Sequence, residues 1–218
     1  MFKSASNFAN SVDAVFLYIL ALSTIVLIGI TVAMIYFVIK YNRKKKPVPK
    51  NISGNLTLEI LWTGIPLILF LTMFYFGWTG YVHERAIPKD AIDIKVTARM
   101  WQWSFEYPNG LKTDTLYVPL DKAVRADLNS MDVNHSFFIP QFRIKKDVIP
   151  TRHNNLWFKS DKLGTYDIVC AEYCGLNHAY MHTSLHVLKP ADFSEWYYAE
   201  SKKANLDTTL VAKTLPKD

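Results

Sequence analysis

The segment Cys170-Ala-Glu-Tyr-Cys174-Gly-Leu-Asn-His178-Ala-Tyr-Met181 places two thiols, an imidazole and a thioether within twelve residues. A second imidazole, His135, stands upstream in Asp132-Val-Asn-His135-Ser-Phe. Soft sulfur donors combined with imidazole select copper over magnesium or calcium. One distant histidine followed by a late, compact cluster is how copper-binding β-barrels gather ligands from separate strands. One cysteine with two histidines and a weak methionine suits a single blue-type copper. Here a second cysteine sits four residues on, so two sulfurs could each bridge two metals, and the pattern points to a binuclear copper centre.

Three plainer readings compete. Cys170 and Cys174 are the only cysteines, and an even pair in an exported domain is often a disulfide. Two cysteines with two histidines also make a tetrahedral zinc set. Each histidine or methionine, taken alone, is more often a packed or surface residue than a ligand. Met181 favours copper, because zinc has little use for a thioether. The spacing Cys-x3-Cys-x3-His-x2-Met is far more specific than a lone Cys-x-x-Cys.

At these residues the chain resembles subunit II of the haem–copper cytochrome c oxidases. The resemblance runs over roughly residues 12 to 199 and includes Asp132-Val-Asn-His135-Ser-Phe-Phe-Ile-Pro140. It implies a mixed-valence binuclear copper site in which Cys170 and Cys174 bridge, His135 and His178 each terminate one copper, and Met181 is a weak ligand. By the same resemblance Glu172 contributes its backbone carbonyl, and its side chain reaches a magnesium ion shared with subunit I. The run Met100-Trp101-Gln102-Trp103-Ser-Phe-Glu-Tyr107 is similar to the family's aromatic stretch, whose first tryptophan, here Trp101, receives electrons from cytochrome c. Gln102 departs from the commonest form, a tyrosine, and acids are scarce just after the stretch. A less basic or membrane-tethered cytochrome c is the donor this suggests. On residue pattern alone, Trp101 reads as one more core aromatic, on the same face as Trp103 and Phe105.

The elements that must position these residues begin with a membrane anchor. No charge occurs over the 26 positions from Ala14 to Ile39, nor over the 23 from Ile60 to Val82. About 20 apolar residues span a bilayer core as a helix, and neither run shows the polar face of a globular core helix. Both exceed the h-region of a cleaved signal peptide, roughly 7–15 residues. Between them lies the basic loop Tyr41-Asn-Arg-Lys-Lys-Lys46-Pro-Val-Pro-Lys50. Cationic loops stay cytoplasmic, which puts both termini outside. A ten-residue loop wedged between two spans is no nucleic-acid patch. The net charge of +6 mostly records this loop, since residues 91–218 carry 16 Lys+Arg against 15 Asp+Glu. Pro66 inside the second span is tolerable in a membrane and reads as a bend packed on another subunit. Glu59 opens that span in Glu59-Ile-Leu-Trp62-Thr63-Gly-Ile-Pro66; it is an interfacial carboxylate on physical grounds. The family resemblance makes it the mouth of a proton-uptake pathway into subunit I.

From Ile92 the period changes to two. Ile92, Val96 and Ala98 alternate with Asp93, Lys95 and Thr97, as in a half-buried strand. Trp101, Trp103, Phe105 and Tyr107 alternate again before the turn Pro108-Asn109-Gly110. Further β-prone pieces lie at 115–118, 124–128, 156–159 and 166–170, the pattern of an all-β sandwich or barrel. Pro190-Ala-Asp-Phe-Ser-Glu-Trp196 suggests a short closing helix.

The expected fold class is therefore an α+β membrane protein, a two-helix transmembrane hairpin carrying an external, all-β, cupredoxin-like Greek-key barrel. The expected segments are an external N-terminal stretch 1–12, helices 13–40 and 56–83 flanking a basic loop 41–55, the external domain 84–200, and a tail 201–218. Implied partners are a haem-bearing subunit I, a subunit III, cytochrome c as donor and the lipid bilayer. Dioxygen reduction and proton translocation fall to subunit I. The expected location is a bacterial inner membrane with both termini periplasmic, a mitochondrial inner membrane being the alternative. A quinol-oxidase subunit that has lost copper is opposed by the retained ligands, whereas a membrane-anchored copper carrier or zinc-stabilised module is a rival that a visible spectrum separates.

Overall fold

The computed structural model describes residues 4–44, 47–48, 54–206 and 208. Parts of the expected basic loop and of the C-terminal tail lie outside the described residues. The chain divides into a helical unit, Ser11–Val82, and a second unit made of the residues up to Asn10 together with those from His83 onward.

In the helical unit, α1 (Ala9–Lys40) begins four residues before the expected start at Asp13, and α2 (Leu56–Arg85) runs two beyond the expected end at His83. The early start follows from Ser6, whose carbonyl accepts from Ala9 N–H and whose hydroxyl accepts from Phe8 N–H. Asn55 Oδ1 accepts from Leu58 N–H and so caps α2. Apolar side chains such as Ile25, Leu27, Phe70 and Phe74 are bare along both helices, the surface a bilayer covers. Tyr18 and Thr72 hydroxyls bond at 2.7 Å, and the Tyr18 ring meets Phe76 edge-on. Such hydroxyl pairs join helices where water is absent. Pro66 sits inside α2 without ending it.

The second unit is built from ten strands. They are β1 (Ile92–Arg99), β2 (Gln102–Glu106), β3 (Lys112–Thr113), β4 (Leu116–Pro119), β5 (Ala123–Ser130), β6 (His135–Ile139), β7 (Ile144–Val148), β8 (Asn154–Lys159), β9 (Gly164–Cys170) and β10 (His182–Leu188). They form two five-stranded sheets, ordered β3-β2-β1-β5-β8 and β4-β10-β9-β6-β7. The pairs β1·β5 and β4·β10 are parallel and join strands distant in sequence; the other pairs are antiparallel. The expected all-β, cupredoxin-like domain is thus present, its strands arranged as a two-sheet β-sandwich. In β1, Ile92, Ile94, Val96 and Ala98 point inward while Asp93, Lys95 and Arg99 point out. Phe105, Phe137, Phe142 and Phe158 fill the space between the sheets, essentially without exposure. Each such side chain contributes roughly 1.5–3 kcal/mol by leaving water.

The closing helix α3 spans Pro190–Lys203, seven residues beyond the expected Trp196 and three into the expected tail. Phe193, Tyr197 and Ser201 recur every fourth residue and are all buried, so one face of the helix keeps paying inward contact past Trp196. Ser201 Oγ accepts from Asn109 Nδ2 and donates to Tyr197 carbonyl, which ties the last turn to the β2–β3 corner.

Residues 4–9 belong to this second unit. Ala5, Phe8 and Ala9 are buried. Ser6 bridges to Ser160, Ala5 N–H donates to Gln141 carbonyl, and Asn7 N–H donates to Lys159 carbonyl while its Oδ1 accepts from Lys159 N–H. Phe8 stacks edge-on against Trp157 and His83. The stretch leading into the first helix is therefore part of the sandwich.

Candidate metal centre

Strand pairing brings the distant histidine to the late cluster. β6 and β9 run antiparallel with Phe137 opposite Cys170, and Ala171 N–H donates to Ser136 carbonyl. His135, the first residue of β6, is thereby held beside Cys170, the last of β9. The intervening loop folds back through His178 N–H to Gly175 carbonyl and a short 3-10 turn, His178–Tyr180. Cys170 N–H then donates to Met181 carbonyl, which returns the thioether to the start of β10.

The donors converge. Cys170 Sγ and Cys174 Sγ stand 3.8 Å apart and are not bonded. His135 Nδ1 lies 3.8 Å from Cys170 Sγ, His178 Nδ1 3.5 Å from Cys174 Sγ, and Met181 Sδ 3.8 Å from Cys174 Sγ. The Glu172 carbonyl oxygen is 3.2 Å from Cys170 Sγ. With metal–sulfur bonds of about 2.3 Å and metal–imidazole bonds of about 2.0 Å, ligands at tetrahedral angles stand about 3.5–3.8 Å apart. The spacing fits a soft metal between these atoms. His135, Cys170 and Cys174 offer donors all within 4.8 Å of one another, and His178 falls outside that group. His135, Cys170, Cys174 and Met181 are all buried.

The surroundings orient the donors. Asp132 Oδ1 accepts from His135 Nε2 at 2.8 Å and from Val133 N–H, and its Oδ2 accepts from Met100 N–H. Burial pushes this carboxyl up, but the Met100, His135 and Val133 bonds outweigh it and hold the group below the usual carboxylate range. An ionised Asp132 fixes the proton on Nε2 and leaves the Nδ1 lone pair facing the sulfurs. Burial, then the neighbouring Cys170, push the Cys174 thiol up to about 12, so a metal must displace its proton on binding. Trp103 closes the inner side, its ring edge-on to His135 and Phe137.

Trp101 is not a core aromatic. It lies in the turn between β1 and β2, half-buried, and its Nε1–H donates to Cys174 carbonyl at 3.2 Å. A Cβ on Gly175 would meet the Trp101 ring at 3.4 Å, and Gly175 has φ +114°, in the region that favours glycine. Glycine lets the indole lie flush on the ligand loop. Sequence reasoning passed over Gly175; the signal was a glycine directly after a ligand cysteine. Glu59 stands in the first turn of α2, in the helical unit, and is not among the residues gathered here.

Comparison with known proteins agrees with this geometry. Residues 1–77 match the family "Cytochrome C oxidase subunit II, transmembrane domain", and residues 110–188 match "Cytochrome C oxidase subunit II, periplasmic domain". The probable cytochrome c oxidase subunit 2 of Rickettsia bellii is 30% identical over 86% of this chain and 78% of its own. Cytochrome c oxidase subunit 2 of Cereibacter sphaeroides is 27% identical over 88% of this chain and 77% of its own. Among solved structures, the periplasmic domain of subunit II of cytochrome oxidase (CoxB) from Bradyrhizobium japonicum superposes with a TM-score of 0.52. It is 32% identical, covering 54% of this chain and 99% of that one. The chain belongs to the cytochrome c oxidase subunit II family.

Proposed function

We propose that this chain is the electron-accepting subunit of a cytochrome c oxidase and holds two coppers between Cys170 and Cys174. The observation that carries the reading is a pair of buried thiols 3.8 Å apart, each with its own imidazole: His135 beside Cys170 and His178 beside Cys174. A single tetrahedral zinc would need both imidazoles in one compact group, and His178 stands outside it. Met181 Sδ and the Glu172 carbonyl complete the set as weaker donors. When bound, such a pair supplies a one-electron store whose charge is spread over two metals and two thiolates, so that its bonds change little on oxidation.

The chain's own residues do the remaining work. Asp132 locks the His135 ring in the tautomer and orientation a ligand needs. Trp103, edge-on to the His135 ring and backed by Phe137, keeps water from its inner face. Trp101, fixed to the Cys174 carbonyl and open at its edge, is where electrons from cytochrome c enter. They pass to haem in subunit I, which reduces dioxygen with proton translocation; a subunit III accompanies it. The Glu172 carboxylate reaches a magnesium ion shared with subunit I, and Glu59 marks a proton-uptake route into that subunit. The complex lies in a bacterial inner membrane, with the basic loop cytoplasmic and both termini periplasmic. The packing of residues 4–9 into the sandwich supports that placement, because it keeps the start of α1 on the domain's side.

The test is metal content and electron-spin resonance of the intact oxidase. Two coppers in this chain, with hyperfine structure from two equivalent nuclei, are expected. One copper, or zinc, refutes the binuclear reading.

A further inference from the structure

Ser136 is a buried polar residue beside a metal ligand. On β6 the His135 and Phe137 rings both meet Trp103 between the sheets, so alternation sends the Ser136 side chain to the opposite face. It is nevertheless fully buried, like its two neighbours. Burying a hydroxyl costs free energy unless it finds a partner. Ser136 Oγ finds one on the next strand, donating to Asp147 Oδ1 at 2.9 Å, and the two residues stand opposite each other in the β6–β7 ladder. Asp147 is fixed in turn. Lys145 Nζ donates to the same oxygen at 3.0 Å, and Asn154 Nδ2 donates to the Asp147 carbonyl at 2.8 Å.

The same residue closes the seam between the two parts of the ligand set. β6 pairs with β7 along its whole length, from His135 opposite Val148 to Ile139 opposite Ile144. Its pairing with β9 is short, Phe137 opposite Cys170 and Phe138 opposite Val169. Nearer the metal end the seam is held by Ala171 N–H, which donates to the Ser136 carbonyl. Ser136 thus follows His135 in the chain, accepts from the residue after Cys170, and is anchored to β7 by its hydroxyl. A hydroxyl donating to a carboxylate makes a charge-assisted bond, directional as well as strong. An alanine here would have no polar group to satisfy, so what the hydroxyl adds is a fixed position for the strand.

We propose that Ser136 and Asp147 form a positioning pair that sets how the His135 imidazole stands to the Cys170 thiol at the metal centre. The inference rests on the copper reading of the site and adds two residues outside the ligand set. With the pair intact, β6 is clamped to β7 beside its first residue, and His135 Nδ1 is held toward the sulfurs. Without it, the metal end of β6 is free to drift from β9, and His135 holds its copper less firmly than His178 holds the other. A weaker imidazole donor favours the oxidised state less, so the centre accepts an electron more readily.

The intact oxidase tests this with Ser136→Ala, Asp147→Ala and Asp147→Asn. In the two alanine variants the bond is gone, and the electron-spin spectrum should show two copper nuclei that are no longer equivalent. The equilibrium constant for reduction of the centre by a small-molecule mediator should rise about threefold in both, which for one electron is about 28 mV. Asp147→Asn retains an oxygen that can accept from the Ser136 hydroxyl and should stay near the parent in both readouts. The double variant Ser136→Ala/Asp147→Ala should shift no further than either single one, because residues that act as one unit are not additive. Amide hydrogen exchange should quicken in the alanine variants over residues 168–172, where Ala171 N–H meets Ser136. An Asp147→Asn shift as large as that of Asp147→Ala overturns the proposal, since charge and not position would then be acting. Additive shifts overturn it, as does a lowered melting temperature with parent spectrum and potential, the mark of a purely structural bond. If Ser136→Ala does not assemble, Asp147→Ala decides by the same readouts, because that side chain is 43% exposed. Failure of the copper reading is distinguishable, because the parent enzyme itself would lack the two-copper signal while amide exchange still reports on the seam.

Discussion

Replacing each of two nearby tryptophans by phenylalanine separates packing from electron transfer. Trp103 is 3% exposed and packs edge-on against Phe137 and His135. Its indole N–H has no acceptor among the described residues, so Trp103→Phe loses no hydrogen bond. The change removes about three heavy atoms; at about 0.8 kcal/mol per methylene-sized group that is about 2 kcal/mol, before any cavity left behind. For a domain of this size such a loss lowers the melting temperature by roughly 5–10 °C. Trp101→Phe deletes one half-exposed hydrogen bond to Cys174 carbonyl, a loss of about 1 kcal/mol. Its effect should appear in rate, with cytochrome c oxidation slowed about tenfold or more, equivalent to about 1.4 kcal/mol of barrier. The assay follows the thiolate–copper absorption band of the purified oxidase on heating, and steady-state oxidation of reduced cytochrome c at matched copper content. The expected pattern is a clearly lower melting temperature with a near-parent rate for Trp103→Phe, and a smaller fall in melting temperature with a slowed rate for Trp101→Phe. If Trp101→Phe oxidises cytochrome c at the parent rate, or Trp103→Phe slows it as much, the assignment of the two side chains is wrong.

Other outcomes follow from the same site. Cys170 and Cys174 are near enough that, without metal in an oxidising compartment, they should close a disulfide and block copper uptake until reduced; full uptake by air-oxidised apoprotein refutes this. Gly175→Ala puts a methyl 3.4 Å from the Trp101 ring at φ +114°, which costs roughly 1–3 kcal/mol. The variant should melt lower and oxidise cytochrome c more slowly than its copper content explains. Away from the centre, the Lys145 ammonium and then the Ser136 hydroxyl hold the Asp147 carboxyl below its ordinary value. The stability this lends is complete above the unfolded value of about 4 and is lost as pH falls through the lower folded value. Asp147→Asn should therefore narrow the difference in melting temperature between neutral and acid pH, and an unchanged difference refutes the linkage.

The parts of the fold that could be read from sequence are those where one local signal dominates. The uncharged runs marked both helices, and strict alternation marked β1. The ends of the helices were less legible because a single serine hydroxyl, at Ser6, or two buried residues beyond the periodic stretch, Tyr197 and Ser201, decide them. β6 was hidden because both of its faces meet protein, so that His135, Ser136 and Phe137 are all buried and no alternation survives. β7 reads as charged surface, Ile-Lys-Lys-Asp-Val, although both of its ends are buried. In β10 polar residues outnumber apolar ones until Leu185. At the metal centre the sulfur and imidazole donors stand out by type and spacing. Alternation alone puts Trp101 on the core face because it carries through a turn, whereas the family resemblance puts it near the ligands; Gly175 has no sequence signal of its own because its role depends on a ring 74 residues earlier in the chain. The docking of residues 4–9 gave too short a signal to read, since a single large apolar side chain, Phe8, stands among small residues whose partners lie more than 130 positions away.

That last feature bears on how the protein is made. Ser6 is separated from its acceptor at Phe142 by 136 residues, and Ala5 from Ser160 by 155. The segment is translated long before its partners exist, and both membrane crossings lie between them. It can close the sandwich only if the chain has crossed twice and returned to the same side. A molecule with only one crossing, or with the start of α1 on the wrong side, leaves Phe142, Lys159 and Ser160 without their partners and the Trp157 ring bare. On the proposed topology the segment is a latch that can close only once both crossings are made, and a chain that has not crossed twice leaves the strand edge at Lys159 and Ser160 uncovered.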